Sequence, residues 1–335
     1  MKKRPKILVV GSLAMDLIVS TEKFPASGET VLGTNFRTAP GGKGANQAVQ
    51  AARLGADVTV AGKVGEDDFG RKLISSARQA GIHTEHVTVD PLVSSAVSNV
   101  LLEMHGNETR NRIITVPGAD GTISSANVAF LKDSIKEYDA VILQDEIPIA
   151  INRIIAGYAW KKGVPVMLNP APSAELPEDL LEHLTWISPN EHEAADLTGI
   201  KIRREGKTAN RDDLKEAAEE LLKKGVKNVV ITLGNAGAVV ANQKEFIIEP
   251  CADVVEVRDP TAAGDSFVGA FTVAACLGLT SKESLHFAAY AAALTVSRMG
   301  AQPSLPTLQE VVKLMQKEKD IGFDLSKLEP LKGEK

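Results

Sequence analysis

The stretch Ile7-Leu8-Val9-Val10, which ends at Gly11-Ser12, is the first of a series of short apolar runs in this sequence. The later runs are residues 58–61, 140–143, 164–168, 186–188 and 229–232. Helical patterns lie between runs, at residues 44–53, 69–79, 191–197, 211–224 and 264–277. Apolar strands that alternate with helices indicate parallel strands buried on both faces, because each crossover needs a helix to return the chain. The sequence therefore predicts an α/β fold, an αβα sandwich around a doubly wound, mainly parallel sheet.

Two regions depart from this rhythm. Residues 17–37 and 96–116 are alternating or irregular with turn residues, which is typical of antiparallel strands rather than of βαβ units. We expect them to form a small sheet beside the main domain, which spans residues 1–316. Residues 317–335 are charged and show no clear apolar face, so we expect them to be a frayed surface extension.

Composition favours small-molecule chemistry. The chain has 335 residues, 44% of them hydrophobic, which is enough for a full core. The formal net charge is -5, so there is no excess of basic side chains for binding a nucleic-acid backbone or an anionic membrane. Cys251 and Cys276 are too few for a disulfide framework and lack the spacing of a metal site.

The first residues superficially resemble a signal peptide, because basic residues precede a short apolar run. Gly11 and Ser12 break that run, and Asp16 follows soon after. No small-x-small cleavage site precedes a mature start, and no apolar stretch approaches the ~20 residues needed to span a bilayer. We therefore interpret the run as a buried first strand and expect a cytoplasmic protein.

A cluster of small residues near the end of the sequence, Asp259-Pro260-Thr261-Ala262-Ala263-Gly264-Asp265-Ser266-Phe267, precedes an apolar helical pattern. Small residues leave the N–H groups of a helix start unobstructed, and these donors attract an anion such as phosphate. Asp265 could accept a proton beside that phosphate. It could equally serve only to cap the helix.

A second glycine cluster, Ala39-Pro40-Gly41-Gly42-Lys43-Gly44-Ala45-Asn46-Gln47-Ala48, also opens onto a helical pattern. The adjacent glycines let a ligand approach the main chain, and Lys43 and Asn46 supply polar groups there. The alternative is a strand-to-helix turn with a solvated lysine. Neither cluster has the spacing of a Walker loop or of a dinucleotide fingerprint.

Together these clusters resemble the two signatures of the ribokinase, or PfkB, family of carbohydrate kinases. The resemblance runs from about residue 7 to about residue 314. Further matching stretches are Asn169-Pro170-Ala171-Pro172, Pro189-Asn190-Glu191 with Glu193, Thr232-Leu233-Gly234 and Gly300-Ala301-Gln302-Pro303-Ser304. The resemblance implies a ribokinase-like domain whose small sheet is a lid over the sugar, and a homodimer that pairs through the lids.

The resemblance also implies roles for individual residues. The sugar site would use Asp16, Gly42, Lys43, Asn46 and Glu146, with Asp265 as the catalytic base. The nucleotide site would use Asn190, Thr232, Gly234 and Gly237, with an anion hole from the backbone of Ala262, Ala263 and Gly264. Asn190 and Glu193 match a motif associated with Mg²⁺, held by Glu193 through water. A monovalent cation, normally K⁺, would be held by Asp259, Thr261, Arg298, Gly300 and Ser304, several of them through carbonyl oxygens.

Some of these positions have simpler explanations. Asp16 and Glu146 could be polar residues in solvent at strand ends, although the carboxyl ends of parallel strands are where such sheets bind ligands. Asp259 could be only a turn residue before Pro260.

The implied reaction is in-line phosphate transfer from ATP to the primary hydroxyl of a pentose, in the first place D-ribose to ribose 5-phosphate. Ala14 stands where the family usually has a sugar-binding Asn, which weakens the assignment of ribose. Pro260 replaces a usual Thr and stiffens its loop. Asn99, in the expected lid, is a candidate to restore a polar contact.

The other hypotheses are a kinase for deoxyribose, another pentose or ketose, or a nucleoside. Outside the enzymes, the chain could be a sugar-sensing regulator without turnover, but such a protein would be expected to lose the base or the anion hole. A dinucleotide-dependent oxidoreductase is disfavoured, because the first strand leads into Gly-Ser-Leu-Ala-Met-Asp rather than into a glycine-rich helix start.

Overall fold

The structure is a computed structural model that describes residues 3–105 and 108–332. Residues 1–2, 106–107 and 333–335 of the expected domain, lid and tail lie outside the described residues. The strands are β1 Lys6–Val10, β2 Ala14–Thr21, β3 Gly33–Gly41, β4 Asp57–Gly65, β5 His83–Asp90, β6 Ala96–His105, β7 Glu108–Val116, β8 Ala140–Gln144, β9 Val166–Asn169, β10 Trp186–Ile187, β11 Arg204–Glu205, β12 Thr208–Ala209, β13 Asn228–Thr232, β14 Ala238–Asn242 and β15 Phe246–Glu249.

The helices cover both faces of the main sheet. They are α1 Lys43–Arg53, α2 Asp68–Gln79, α3 Ser125–Val128, α4 Leu131–Ser134, α5 Ile149–Lys162, α6 Glu178–Glu182, α7 Glu191–Thr198, α8 Arg211–Lys223, α9 Ala263–Cys276, α10 Ser281–Val296 and α11 Leu308–Lys317. Short 3₁₀ helices span Gly118–Thr122, Ile135–Glu137, Gly234–Ala236, Gln302–Ser304 and Leu325–Lys332. No helix among the described residues is long and apolar enough to cross a membrane.

Among the described residues, the main sheet has nine strands in the order β15-β14-β13-β10-β9-β8-β1-β4-β5. The strands from β13 to β5 pair in parallel, and β14 and β15 complete one edge as antiparallel strands. This confirms the predicted doubly wound sheet. The order reverses at β1, which lies between β8 and β4, and such switch points are where open α/β sheets bind ligands.

Strand β1 shows why the apolar runs were continuous. Ile7 and Val9 belong to the core on one side of the sheet, and Leu8 and Val10 belong to the core on the other. Alternate side chains of a strand point to opposite faces, so a strand covered on both faces needs apolar residues at every position. Central strands of this kind are the part of the fold that a sequence pattern predicts most directly.

The two irregular regions form the expected small sheet, in the order β3-β2-β6-β7. Its strands begin earlier and end later than predicted, since β2 starts at Ala14 and β3 continues to Gly41. The sheet is also not purely antiparallel, because β2 and β6 pair in parallel. The chain passes through β4, α2 and β5 of the main domain between β3 and β6, which leaves room for a parallel return.

The interpretation of residues 317–335 as a frayed extension is wrong for the described part. The 3₁₀ helix Leu325–Lys332 buries Leu328 and Leu331 against the main core. These apolar positions are spaced three apart, which places them on one face of a 3₁₀ helix. The segment meets the end of α1 closely, since a Cβ added at Gly55 would lie 2.3 Å from the carbonyl oxygen of Leu331.

Replacing Leu328 by Ala should lower the free energy of unfolding by about 2–4 kcal/mol, because it removes a fully buried leucine side chain. Urea unfolding followed by circular dichroism measures this change. Glu329→Ala is the matched control, since Glu329 is exposed and forms an ion pair with Lys332 of the same segment. A loss below about 0.5 kcal/mol at Leu328 would mean that the segment does not pack in solution.

Candidate active site

The candidate site lies at the switch point, beyond the carboxyl ends of β1 and β8. Its first cavity has a volume of about 580 Å³ and lies between the main domain and the small sheet. The predicted sugar-site residues come together in its wall, namely Asp16, Gly42, Lys43, Asn46, Glu146 and Asp265. They are joined there by Glu193, Thr261, Ala262 and side chains of the small sheet.

Gly42 makes the sharp entry into α1 possible. It has φ 87°, a left-handed conformation that side chains disfavour, and an added Cβ would lie 2.7 Å from the amide nitrogen of Ala14. The next residues of α1 are thereby brought against the loop that follows β1. Close main-chain approach is therefore the reason for this glycine.

Asp265 lies in the first turn of α9 and is 7% exposed. One carboxylate oxygen, Oδ2, accepts a hydrogen bond from Nδ2 of Asn46 at 2.9 Å. The other, Oδ1, accepts from Nε2 of Gln47 at 3.0 Å. The N-cap residue of α9 is Ala262, whose methyl group cannot cap the helix. The Asp265 carboxylate is bound by α1 rather than by its own helix. The capping alternative is therefore wrong.

Asn46 has a polar atom that lacks a partner. Its Oδ1 is buried and has no hydrogen-bond partner among the described residues, although Asn46 is only 6% exposed and lines the cavity. Buried polar atoms are almost always paired, so this oxygen is available to accept a hydrogen bond from water or from a ligand in the cavity. A hydroxyl group is a suitable donor.

The turn before α9 is strained and held from both sides. Ala262 has φ 62°, which costs an L-residue with a Cβ about 1–2 kcal/mol. Asp259 supports the turn by accepting from the amide nitrogen of Thr261 at 2.9 Å and from that of Gly300 at 2.8 Å. The N–H of Ala263 donates to the carbonyl oxygen of Pro260 at 3.2 Å, and the next N–H groups of the first turn of α9 have no helical partners, as in any helix. Donors of this kind are suited to binding an anion.

A second cavity of about 470 Å³ lies on the other side of this turn. The predicted nucleotide residues Thr232, Gly234 and Gly237 line it. Small residues of α10 widen it, namely Ala289, Ala292 and Ala293. Pro260 lines both cavities, and Gly264 lines the second, so the cavities meet at the start of α9.

The first cavity concentrates negative charge. Burial and the nearby charges of Glu146 and Asp265 raise the pKa of Asp16 to about 7. Burial, opposed by a hydrogen bond from Asn152, also raises the pKa of Asp145 to about 7. The sequence analysis did not single out Asp145, although its place directly after β8 and before Glu146 was a usable signal.

Lys43 is the cation among these carboxylates. Burial lowers the pKa of its ammonium group, but the charges of Asp265 and Glu146 outweigh burial and leave that pKa above its ordinary value. Burial raises the pKa of Glu193, against the effects of the Asn190 N–H and of Lys43. Lys43 is therefore not a solvated lysine, which contradicts the turn-only alternative for its cluster.

Glu146 is not a solvent-exposed polar residue either. It accepts a hydrogen bond from the amide nitrogen of Lys43 at 2.9 Å and another from the Ser12 hydroxyl group. These bonds tie the loop after β1 to the start of α1. Asp16 differs from the prediction in position, because it lies inside β2 of the small sheet rather than at the end of a main-sheet strand.

The Asn-x-x-Glu motif forms a capping box at the start of α7. Oδ1 of Asn190 accepts from the amide nitrogens of His192 and Glu193, and Glu193 accepts from the amide nitrogen of Asn190 at 2.7 Å. Glu193 lines the first cavity, whereas Asn190 lines neither cavity. The motif thus has a local structural function whatever it binds.

The predicted K⁺ ligands are only partly gathered. Asp259, Thr261 and Gly300 are joined by the hydrogen bonds of the turn before α9. Arg298 forms an ion pair with Glu310 at 2.7 Å, and the hydroxyl of Ser304 donates to the carbonyl of Ala301 at 2.6 Å. Among the described residues, no group of three or more His, Cys, Asp or Glu side chains is arranged to hold a metal ion. Both metal sites remain predictions.

Asn99 does not face the cavity as suggested. Its neighbours Ser98 and Val100 line the cavity, and alternate residues of a strand point to opposite faces. Oγ of Ser98 lies 3.2 Å from Oγ1 of Thr115, which also lines the cavity. Ser98 and Thr115 thus join Asp16 as polar groups that the small sheet presents to this space.

Replacing Asp16 by Asn should stabilise the fold above pH 7. The pKa of Asp16 is raised to about 7 in the folded state, so the charged carboxylate destabilises the folded protein above that pH. This destabilisation disappears as the pH falls from 7 toward the ordinary pKa of an aspartate. Asp16→Asn should therefore raise the free energy of unfolding by roughly 1–3 kcal/mol at pH 8.5 and by much less at pH 5. Urea titrations at both pH values measure this difference.

Asp68→Asn is the control for that experiment, since the Asp68 side chain is 83% exposed. It should change the stability little and equally at both pH values. An equal effect of Asp16→Asn at pH 5 and pH 8.5 would contradict the raised pKa.

Comparison with known proteins agrees with this geometry. The family model described as "pfkB family carbohydrate kinase" matches residues 4–308. The ribokinase of Bacillus subtilis is 37% identical over 92% of this chain and 99% of its own, and that of Schizosaccharomyces pombe is 39% identical over 91% and 96%. The Arabidopsis thaliana ribokinase, solved in complex with ribose and ATP, superposes with a TM-score of 0.82 at 34% identity, over 93% of this chain and 99% of that one. The chain belongs to the pfkB family of carbohydrate kinases.

Proposed function

We propose that this enzyme transfers the γ-phosphoryl group of ATP to the primary hydroxyl of a pentose, in the first place D-ribose, to give ribose 5-phosphate. The observation that carries the proposal is the position of Asp265, in the wall of one cavity and in the first turn of the helix whose start separates it from the other. A base at this place can serve an acceptor on one side and a phosphate donor on the other. Relatives named ribokinase, and one solved with ribose and ATP, support the choice of substrates.

The first cavity has the groups that a pentose needs. Sugar hydroxyls both donate and accept hydrogen bonds, and the cavity offers carboxylates of Asp16 and Glu146, the ammonium group of Lys43 and the unpaired Oδ1 of Asn46. Gly42 leaves its main chain accessible. The cover by the small sheet supports its role as a lid, which would keep water from competing with the sugar for the phosphate.

The second cavity suits a nucleotide. Thr232, Gly234 and Gly237 border it, and the alanines of α10 leave an apolar space for a flat base. Oδ1 of Asn190 accepts hydrogen bonds from its own helix, so a side-chain contact with the nucleotide would need its Nδ2 group. We keep Asn190 in the nucleotide site on the family resemblance alone.

In the proposed reaction Asp265 accepts the proton of the attacking hydroxyl group, and its hydrogen bonds from Asn46 and Gln47 hold the carboxylate in place for this step. The backbone of Ala262, Ala263 and Gly264 would receive the charge that develops on the transferring phosphate. The chain's main contribution is to position the two reactants.

The negative first cavity fits a divalent cation. Glu193 would hold Mg²⁺ through water, and bound Mg²⁺ would supply charge neutralisation at the phosphates. For K⁺, the Asp259 carboxylate is occupied by hydrogen bonds and the Arg298 side chain by an ion pair. We therefore expect main-chain carbonyl oxygens to be the ligands, at Asp259, Thr261, Arg298, Gly300 and Ser304. Carbonyl oxygens are suitable ligands for a hard cation.

We also propose that the kinase domain spans residues 1–316 and that two copies pair through their lids. The lid exposes large apolar side chains, with Phe36 64% and Ile114 66% exposed. Large apolar side chains exposed on both edge strands of the small sheet support an interaction surface there. The packed helix Leu325–Lys332 is then an extension that completes the core of this domain.

A substrate panel tests the function. Wild-type protein with ATP and Mg²⁺ should release ADP fastest with D-ribose, compared with 2-deoxyribose, fructose and adenosine. Ala14, which is 2% exposed, replaces a polar residue expected in the family, so the panel also decides whether deoxyribose or a nucleoside is preferred.

Asp265→Asn should fold normally and lower turnover by about 10²–10⁴-fold, the contribution of a general base. Near-normal turnover in that variant, or ADP release that no sugar or nucleoside stimulates, would contradict the proposal.

Gly264→Ala probes the anion hole separately. A Cβ at Gly264 meets no atom of the described residues within 4 Å, so the fold tolerates it and the helix gains roughly 0.5–1 kcal/mol. The methyl group would instead enter the space of the transferring phosphate, and turnover should fall at least about tenfold, as it does when oxyanion contacts are lost.

Gly157→Ala is its matched control, because Gly157 lies inside α5 and an added Cβ there makes only ordinary contacts, at 3.9 Å from His183. It should stabilise the protein similarly and leave turnover unchanged. Equal turnover in the two variants would argue against a phosphate at Gly264.

A further inference from the structure

Gln47 lies beside the site without lining either cavity. It follows Asn46 in α1, and its side chain is 0% exposed. Its Nε2 donates to Oδ1 of Asp265 at 3.0 Å and to Oδ1 of Asn169 at 3.1 Å. Its Oε1 accepts from Nε2 of Gln144 at 2.7 Å. Every polar group of this amide is therefore used, and α1 is connected through it to β8, β9 and α9.

The orientation of the Gln47 amide is determined by a main-chain group. The carbonyl oxygen of Ser188 can only accept, and it accepts from Nδ2 of Asn169 at 2.9 Å. Oδ1 of Asn169 must then face Gln47, so Gln47 presents its N–H groups there. Its oxygen is left toward Gln144. Reversing the amide would place the Gln47 oxygen against two other acceptors, Oδ1 of Asn169 and Oδ1 of Asp265.

Each carboxylate oxygen of Asp265 thus accepts from a different amide, and the two amides differ in where they lie. Asn46 lines the cavity and can also contact a ligand. Gln47 is sealed in the interior, so the oxygen that it binds faces the protein. The oxygen next to Asn46 is left on the side of the cavity.

We infer that Gln47 is a positioning residue for Asp265, which fixes the carboxylate so that one of its oxygens faces the substrate. This inference rests on the proposed function, in which Asp265 is the base. The charged groups around that carboxylate are Asp16, Glu146, Glu193 and Lys43, and they stay in place in the test below.

Gln47→Met tests the inference, since methionine has a similar length and cannot donate. The expected result is a fall in kcat of about 10- to 100-fold, the range for losing a group that supports a functional ligand, with the sugar KM within about threefold. The acid limb of the kcat profile should move to higher pH, because the carboxylate loses a donor that favours its ionised form. In the Asp265→Asn background, adding Gln47→Met should change turnover little, because the two residues act as one unit.

Gln50→Met is the matched control. Gln50 lies one turn further along α1, is also 0% exposed, and bonds to the Pro306 carbonyl and the Ser266 hydroxyl instead of to Asp265. It should lose comparable stability in thermal unfolding but keep the acid limb of the wild type. If Gln47→Met does not fold, Gln144→Met removes the donor to Gln47 Oε1 and should produce a smaller shift in the same direction.

The outcomes separate the two claims. Wild-type protein that phosphorylates no sugar rejects the proposed function and this inference with it. If the wild type is active and the acid limb of Gln47→Met or Gln144→Met matches that of Gln50→Met, the positioning role alone is rejected. An equal loss of kcat in the Gln47→Met and Gln50→Met variants rejects it as well.

Discussion

The carboxylate of Asp265 and the amides of α1 form the contact on which the site depends. Asp265 and Asn46 are 219 residues apart in sequence, and their hydrogen bond brings the two glycine-containing turns together at the switch point of the sheet. Helix α9 supplies the main chain of its first turn, α1 supplies polar side chains, and the strands between them act as a rigid base. Without that contact each turn would be an ordinary entry into a helix.

This arrangement costs stability. Several carboxylates share one partly closed cavity, where burial raises the pKa of Asp16 and of Asp145 to about 7. Ala262 adds a left-handed backbone, and Asn46 leaves a buried oxygen unpaired. Strain and unpaired groups of this kind concentrate at functional sites, and the continuous apolar strands of the main sheet offset them.

The parts that could be predicted from sequence are those with a local signature. Strands buried on both faces leave uninterrupted apolar runs, and the turns before α1 and α9 leave clusters of small residues. Facts that depend on distant partners were missed. Whether Ser98 or Asn99 faces the cavity depends on strand register, and a shift of one residue exchanges the faces. The role of Gln47 depends on Gln144, a partner 97 residues away, and no local pattern contains such a contact.

Pro260 belongs to the wall of both cavities, and the turn that contains it is tied to Gly300 through Asp259. Ligands in the two cavities would therefore contact opposite sides of the same turn. Thermodynamic linkage then requires reciprocity, so that whatever factor the first ligand adds to the affinity of the second, the second adds to that of the first. Any such coupling would act through the short wall between the cavities, to which Pro260 belongs on both sides.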